Sequence, residues 1–414
     1  MTITTSVDKK QLKILLLEGI HAKAKQTFID AGYTNIETLH HALDDKSLIE
    51  KLKKVKIVGV RSRTQLNQHV LQESPHISAI GCFCIGTNQV DLPVAQKLGI
   101  PVFNAPFSNT RSVAELVIGQ MILLFRNVID KNQQMHQKQW QKSAQGAHEV
   151  RGKTLGIVGY GHIGSQVSVL AESLGLNIVY YDIDNKLPLG NARQLSSLKA
   201  LLKQSDIVTL HVPDTPLTRN LITTPQLEMM KANSVLINAS RGHVVDINAL
   251  CQTLRTGKLK GAGIDVFPEE PSSNDEPFNS PLVDFDNVFL TPHIGGSTQE
   301  AQENIALEVA HKLIKYSDNG STLSAVNFPE ISLPTIAEEN IHRILHIHHN
   351  QPGVMRAINR IFSDLNVNVE GQFLRTLGEI GYVVVDINSD QHDSSTLIKK
   401  LKSIDGTIRA RILF

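Results

Sequence analysis

Short apolar runs separated by polar, helix-like stretches occupy the first part of the chain. The runs are LKILLL (12–17), VKIVGV (55–60) and the segments 78–85 and 101–104. Such alternation is typical of β-α-β units. The pattern therefore predicts an α/β region over residues 1–105, followed by one long helix over 112–139 whose apolar first half should be buried.

From Arg151 the same rhythm becomes regular. Six apolar runs follow one another, and helical stretches separate most of them: LGIVGY (155–160), NIVYYD (177–182), DIVTLHV (206–212), SVLINAS (234–240), GAGIDVF (261–267) and NVFLTPH (287–293). Runs without polar alternation indicate strands that are covered on both faces, as in a parallel sheet. This stretch predicts a doubly wound nucleotide-binding domain.

The remaining sequence changes character twice. A helix is expected at about 298–316, and the proline-punctuated segment 317–340 reads as a polar linker, whose IAEEN (336–340) has no glycine to indicate a flexible hinge. The last residues then alternate strand-like and helical stretches in the order βαββαβ. That order is typical of a ferredoxin-like sandwich.

Length and composition narrow the class of protein. The chain has 414 residues, 41% of them hydrophobic, and a formal net charge of +1. Several domains are expected, and the balanced charge offers no attraction for nucleic acid or for an anionic membrane. No apolar run approaches the roughly 20 residues of a membrane span, and the N-terminus lacks a signal-peptide pattern.

Cys82, Cys84 and Cys251 are expected to be small buried hydrophobic residues in a reducing compartment. These features predict a cytoplasmic protein, and no metal site is expected.

A dinucleotide fingerprint lies at the start of the regular region. Gly159, Gly161 and Gly164 form G-x-G-x-x-G between a predicted strand and a predicted helix, and Asp182 ends the next strand. Glycines at these positions permit a tight turn, close approach of a pyrophosphate and close helix–strand packing. Asp182 would accept hydrogen bonds from the ribose hydroxyls and repel a 2′-phosphate, which favours NAD over NADP. The alternative is a glycine-rich turn without a ligand.

Three ionisable residues follow three successive predicted strands. Arg241 comes after SVLINAS, Glu270 shortly after GAGIDVF, and His293 ends NVFLTPH. Each alone could be a structural or solvated side chain. Because the carboxyl ends of parallel strands form the ligand-binding edge of such a sheet, the set is expected to converge there. A histidine base, an orienting carboxylate and an arginine for the substrate carboxylate are the groups that alcohol oxidation requires.

Two further clusters indicate anion binding. Arg61, Ser62 and Arg63 follow a strand of the first region and could grip a phosphate from across the cleft, although a solvated basic loop is the alternative. In the last region, the segment 348–353 (HHNQPG) lies where a strand meets a helix N-terminus. Such a turn could hold an amino acid's carboxylate on backbone N–H groups, or simply cap the helix.

The residues at the strand ends lie in stretches that resemble the D-isomer-specific 2-hydroxyacid dehydrogenase family. The stretches are Arg-Gly at 241–242, DVFPEEP at 265–271 and TPHIGGST at 291–298. The resemblance implies NAD-dependent oxidation of a D-2-hydroxy acid by Arg241, Glu270 and His293. It also implies a Rossmann-type coenzyme domain (109–295) inserted into a flavodoxin-like substrate-binding domain (1–108 and 296–330). The residues expected to contact the cofactor are Gly159, Gly161, His162, Ile163, Gly164, Asp182, Ala239, Ser240, Arg241, Asp265, His293, Ile294, Gly295 and Gly296.

Two more stretches, GCFCIGTNQVDL (81–92) and FNAPFSNTRSVAEL (103–116), are similar to members of that family that carry a C-terminal ACT domain. This resemblance implies oxidation of 3-phospho-D-glycerate to 3-phosphohydroxypyruvate, the first step of L-serine biosynthesis. It further implies a homotetramer, an ACT domain over 339–414, feedback inhibition by L-serine, and a possible side reduction of 2-oxoglutarate. The residues it implies are Arg61, Ser62 and Arg63 for the substrate phosphate, Lys142 from a partner subunit, and His348, Asn350 and Asn368 for serine.

Two other functions share this fold. A glyoxylate or hydroxypyruvate reductase would not need the phosphate-binding residues 61–63 and usually lacks the C-terminal module. An NAD-sensing transcriptional corepressor would be a binding protein rather than an enzyme, and no partner-binding extension is evident in the sequence. Both stay open as alternatives at this point.

Overall fold

The computed structural model describes residues 8–271, 275–334, 341–388 and 394–413. The chain divides into two compact units: Met1–Ser108 with Gln302–Phe414, and Asn109–Ala301. The sequence predicts three domains, which consist of residues 1–108 with 296–330, residues 109–295, and residues 339–414. This division stays a prediction.

The first part of the chain forms a parallel five-stranded sheet with strand order β2-β1-β3-β4-β5. Its strands are β1 (Lys13–Leu16), β2 (Ile36–Thr38), β3 (Val55–Val60), β4 (Ala79–Cys82) and β5 (Val102–Asn104). The helices are α1 (Ala22–Asp30), α2 (Asp45–Leu52), α3 (Gln68–Gln72) and α4 (Leu92–Lys97). This is the flavodoxin-like order, as expected. Strand β2 was not predicted, because its half-exposed residues form no apolar run.

The next element corrects the sequence analysis. In place of one helix over 112–139 there are two, α5 (Thr110–Phe125) and α6 (Val128–His136), bent by 73°. Asn127 between them has a left-handed backbone conformation with φ 54°. The apolar α5 is buried, whereas α6 has no buried residue. In the described ranges no single helix has the length and apolar composition to cross a membrane, and only this bent pair has them together.

The second unit contains a parallel seven-stranded sheet with strand order β12-β11-β10-β9-β6-β7-β8. Its strands are β6 (Thr154–Val158), β7 (Asn177–Tyr181), β8 (Arg193–Gln194), β9 (Ile207–Leu210), β10 (Ser234–Asn238), β11 (Leu259–Ile264) and β12 (Val288–Leu290). The helices are α7 (His162–Ser173), α8 (Leu198–Gln204), α9 (Thr224–Met229) and α10 (Ile247–Arg255). The doubly wound fold is confirmed, and the strand order reverses between β6 and β9, where such folds bind their ligands.

The chain then returns to the first unit through α11 (Gln299–Asn319) and ends in an antiparallel four-stranded sheet of order β14-β15-β13-β16. Its elements are β13 (Ile341–His349), α12 (Val354–Asp364), β14 (Val369–Leu377), β15 (Ile380–Asn388), α13 (Ser394–Lys402) and β16 (Thr407–Leu413). The βαββαβ order is confirmed.

The segment between α11 and β13 is not the free polar linker that the sequence analysis expected. Phe328, Ile331 and Leu333 are buried and pack in one cluster with Leu345 and Tyr382 of the four-stranded sheet. The prediction was wrong because the segment is polar on average, although these three apolar residues are enough to pack it against the sheet. Residues 335–340, with the IAEEN stretch, lie outside the described residues.

Candidate active site

Arg241, Glu270 and His293 follow three neighbouring strands of the seven-stranded sheet. Arg241 comes after β10, Glu270 after β11 and His293 after β12. These strands are adjacent and parallel, so their carboxyl ends meet at one edge. Both His293 and Glu270 experience the charge of Arg241. The structure thus brings together the three ionisable residues that the sequence singled out.

The imidazole of His293 is paired with the carboxylate of Glu270. Nδ1 of His293 lies 2.8 Å from Oε2 of Glu270, and Oε1 accepts a hydrogen bond of 3.0 Å from the Phe267 N–H. The hydrogen bond to Glu270 raises the pKa of His293 above its usual value, although burial acts in the other direction. Burial acts to raise the pKa of Glu270, but the hydrogen bonds from His293 and Phe267 outweigh it, so that pKa is lowered. With Nδ1 engaged, Nε2 is the ring nitrogen left to exchange a proton.

The turn that carries His293 is held by Asp265, which lies just after β11. Its Oδ1 accepts hydrogen bonds from the Thr291 hydroxyl (2.6 Å) and the Ile294 N–H (2.9 Å), and its Oδ2 accepts one from the Gly295 N–H (2.9 Å). Asp265 is buried, and His293 has a left-handed φ of 52°. A non-glycine residue persists in this region only when its surroundings over-determine the backbone, which the Asp265 hydrogen bonds do here.

The loop of Arg241 packs directly on the chain that leads to Glu270. A Cβ atom added at Gly242 would lie 1.9 Å from the carbonyl carbon of Phe267, so only glycine fits there. The Arg241 Nη1 donates a hydrogen bond of 2.7 Å to the Ser240 carbonyl oxygen, and the Asn238 side chain donates one of 3.0 Å to the Arg241 carbonyl oxygen. The half-buried guanidinium is therefore oriented by its own strand end.

The glycine-rich loop joins β6 to α7 as the fingerprint requires. Gly159 has φ +89°, and a Cβ atom there would lie 2.3 Å from the His211 carbonyl oxygen. A Cβ atom at Gly164 would lie 2.2 Å from the Gly159 carbonyl oxygen, whereas one at Gly161 would meet nothing within 4 Å. Two glycines thus allow close packing, and the third leaves open space. No side chain caps α7 at Gly161, so this helix N-terminus suits a pyrophosphate.

Asp182 immediately follows β7, the strand beside the glycine-rich loop. Its Oδ2 accepts a hydrogen bond of 2.8 Å from the Tyr160 N–H, and its Oδ1 accepts one of 3.0 Å from the Asp184 N–H. Each carboxylate oxygen retains a further lone pair for a hydroxyl. The residues present fit NAD, since Gly161 leaves space for the pyrophosphate, the N-terminus of α7 has no side-chain cap, and the Asp182 carboxylate is held in position for the ribose hydroxyls.

The other residues expected to contact the cofactor differ in exposure. Ala239 and Ser240 are buried after β10, and Gly295 is buried beside Asp265. Ile294 is 42% exposed. Their cofactor contacts stay a prediction, as do those of His162 and Ile163 in the first turn of α7 and of Gly296 after Gly295.

In the first unit, Arg61, Ser62 and Arg63 follow β3 and line a cavity of about 200 Å³. Glu18, His40 and His41 line the same cavity and were missed by the sequence analysis. Glu18 could have been found from the sequence, because it is a charged residue directly after an apolar run, as Arg61 is. His40 and His41 follow β2, whose pattern was too weak to place them.

The remaining predicted residues are the three proposed for serine, Lys142 and the three cysteines. In the four-stranded sheet, His348 is buried, whereas Asn350 and Asn368 are exposed. A Cβ atom at Gly381 would lie 2.3 Å from the His348 Nε2, and burial lowers the pKa of this histidine. Lys142 lies in an exposed segment after α6. Cys82 and Cys251 are buried as expected, but Cys84 is only half-buried.

Comparisons with known proteins agree with this geometry. Residues 118–295 match the model of the D-isomer specific 2-hydroxyacid dehydrogenase NAD binding domain, and 344–409 match the AHAS small subunit-like ACT domain. The chain is 58% identical to D-3-phosphoglycerate dehydrogenase of Haemophilus influenzae over 414 residues, which is 100% of both chains. It is 58% identical to the Escherichia coli protein of the same name, over 99% of each chain. Its fold is similar to Aquifex aeolicus D-lactate dehydrogenase complexed with NAD and lactic acid, at a TM-score of 0.64 and 26% identity, over 73% of this chain and 95% of that one.

Proposed function

The chain belongs to the D-isomer-specific 2-hydroxyacid dehydrogenase family, and from that premise we propose that it oxidises 3-phospho-D-glycerate to 3-phosphohydroxypyruvate with NAD, the first step of L-serine biosynthesis. The proposed chemistry rests on the His293–Glu270 pair, in which Nδ1 of His293 lies 2.8 Å from Oε2 of Glu270. The positive charge of Arg241 acts on the same pair. The substrate rests on the names of relatives that are 58% identical over nearly their whole length.

In the proposed reaction His293 removes the proton of the substrate hydroxyl through Nε2. Glu270 holds the imidazole in the tautomer that leaves Nε2 free and stabilises the imidazolium that forms. Arg241 binds the substrate carboxylate and polarises the developing carbonyl oxygen. NAD, when bound, supplies the acceptor for the hydride that leaves the substrate carbon. The loop residues Gly159 and Gly161 and the carboxylate of Asp182 would hold it.

The proposed phosphate site consists of Arg61, Ser62 and Arg63. Arginine presents a planar fork of donors that matches phosphate oxygens. The cavity that these residues line is mostly polar and contains two further basic side chains, His40 and His41. An unphosphorylated hydroxy acid would have no use for this concentration of donors. This is why a phosphorylated substrate is favoured over glyoxylate or hydroxypyruvate.

We infer that the ACT domain is a regulatory module for L-serine, with His348, Asn350 and Asn368 as its ligands. His348 lies near the carboxyl end of β13, whereas Asn368 precedes β14, and β15 lies between these strands in the sheet. Their separation within one domain supports a site that two ACT domains complete together. Strand β14 is at the edge of its sheet and so is open to pairing.

We propose that the enzyme is a homotetramer, that Lys142 serves a partner subunit's substrate site, that the protein is cytoplasmic, and that it can also reduce 2-oxoglutarate. The exposed Trp140, 78% accessible in the single chain, lies beside Lys142 and suits an interface. The mass in solution and activity with 2-oxoglutarate test the first and last points directly.

The experiment that tests the main proposal measures NADH formation with 3-phosphoglycerate, with and without L-serine. Turnover that serine inhibits is the expected result. No turnover with 3-phosphoglycerate, in a preparation that binds NAD, would remove the substrate assignment. Turnover that is indifferent to serine would leave the enzyme but remove the regulation.

A further inference from the structure

The carboxylate of Glu18 contacts the loop of residues 61–64, which is proposed to bind the substrate phosphate. Glu18 lies two residues after the end of β1, and the loop follows β3, the strand paired with β1. Glu18 is 9% exposed, and its φ of 60° lies in the left-handed region. A buried carboxylate at a phosphate site is unexpected, because its charge opposes the ligand. Its hydrogen bonds supply the reason for its presence.

The carboxylate accepts three backbone N–H groups of the loop. Oε1 accepts those of Arg61 (3.1 Å) and Thr64 (2.9 Å), and Oε2 accepts that of Arg63 (2.9 Å). Converging N–H groups of this kind form an anion-binding nest. Here the anion is a side chain of the protein itself.

The loop is held from a second direction as well. The side-chain amide of Gln89 donates a hydrogen bond of 2.5 Å to the Arg61 carbonyl oxygen. The Arg61 Nη1 also donates, at 3.5 Å, to the Glu18 carbonyl oxygen. Gln89 is buried. The backbone that carries the two arginines is thus held by Glu18 through three N–H groups and by Gln89 through one carbonyl oxygen.

We propose that Glu18 is a positioning residue for the phosphate site: it fills the nest of the 61–64 loop, so that the substrate phosphate is bound by the side chains of this loop and not by its N–H donors. This inference rests on the proposed function. Because the nest is already filled, the loop has its final shape before substrate arrives, and binding does not have to order it. Preorganisation of this kind lowers the entropic cost of binding.

The first test is Glu18→Gln. The amide can still accept from Arg61 and Thr64 but places a donor against the Arg63 N–H. Reduction of 3-phosphohydroxypyruvate is compared with that of hydroxypyruvate, which differs only in lacking the phosphate. We expect the ratio of the two kcat/KM values to fall about tenfold, the size of one broken buried hydrogen bond. A merely structural defect would lower both values and leave the ratio unchanged.

The matched control is Glu37→Gln, the same change at a carboxylate of the same sheet that pairs with Lys13 and Lys51. It is expected to leave the ratio as in the wild type. An unchanged or raised ratio in Glu18→Gln, in a wild-type enzyme that does use the phosphorylated substrate, would overturn the inference. A wild-type enzyme that does not use that substrate would instead remove the proposed function.

A second measurement needs no variant and applies even if Glu18→Gln does not fold. Hydrogen exchange of the Arg61, Arg63 and Thr64 amides is followed in the wild-type enzyme, with and without 3-phosphoglycerate or inorganic phosphate. Slow exchange that the ligands do not change is expected, since Glu18 already holds these donors. Fast exchange in the free enzyme, or strong protection only on adding phosphate, would show that the ligand fills the nest and would contradict the proposal.

Discussion

The Nδ1 atom of His293 lies 2.8 Å from Oε2 of Glu270, and the other oxygen of that carboxylate accepts the Phe267 N–H. The carboxylate is therefore fixed at one oxygen by the backbone and orients the imidazole with the other. This hydrogen bond raises the pKa of His293 above its usual value and contributes to lowering that of Glu270.

Glu270→Gln is expected to move the pH dependence of oxidation. His293 acts as a base, so oxidation increases with pH as the imidazole loses its proton. Without the carboxylate the raised pKa of His293 falls, and the acid limb of kcat/KM moves to lower pH. The maximal rate should fall as well, because the imidazolium loses its stabilising partner. A pH profile from 5 to 10 measures both effects, and a limb that does not move would assign the raised pKa to another cause.

His293→Ala is expected to lower kcat by about 10²–10⁴-fold, the usual contribution of a general base. NAD binding, followed by fluorescence or calorimetry, should change far less, because the glycine-rich loop and Asp182 are untouched. His76→Ala, an exposed histidine of the other unit, is the matched control. A kcat near the wild-type value in the His293 variant would contradict the proposed mechanism.

Arg61→Ala is expected mainly to raise the KM for 3-phosphoglycerate and to leave kcat close to that of the wild type. A lost charge-assisted hydrogen bond of about 1.5–3 kcal/mol corresponds to an increase of roughly 10- to 150-fold. Steady-state kinetics with varied 3-phosphoglycerate at saturating NAD measure it. Arg360→Ala, an exposed arginine paired with Asp364 on α12, controls for the loss of one positive charge. An unchanged KM would mean that residues 61–63 form a solvated basic loop.

Asn350→Ala is expected to weaken inhibition by serine while the uninhibited rate stays unchanged. The Asn350 side chain is exposed and donates to the Gly378 carbonyl oxygen at 3.2 Å, so its removal should not disturb the core of the ACT domain. The serine concentration for half inhibition should rise about tenfold, as expected for one hydrogen bond. Asn359→Ala on the exposed face of α12 is the control. Equal sensitivity of both variants to serine would place the effector elsewhere.

Sequence and structure agree best where strands are buried on both faces. The six predicted strands of the second unit all form, since continuous apolar runs are a strong signal for a covered parallel sheet. Strands β2 and β8 were missed because short, exposed edge strands carry little apolar signal. The break between α5 and α6 was also missed. It depends on the left-handed conformation of Asn127, which apolar periodicity does not report.

The sequence alone determined the chemistry that local patterns encode: the glycine spacing of the coenzyme loop, the acidic residue after the next strand, and the charged residues at three strand ends. Each depends on strand-to-loop order along the chain, which is a local property. Only the tertiary structure decided which of these groups touch. The His293–Glu270 hydrogen bond, the support of the His293 turn by Asp265, and the filling of the 61–64 nest by Glu18 join residues that are up to 46 positions apart. Such contacts follow from the lateral order of strands in a sheet, which packing of the whole domain selects.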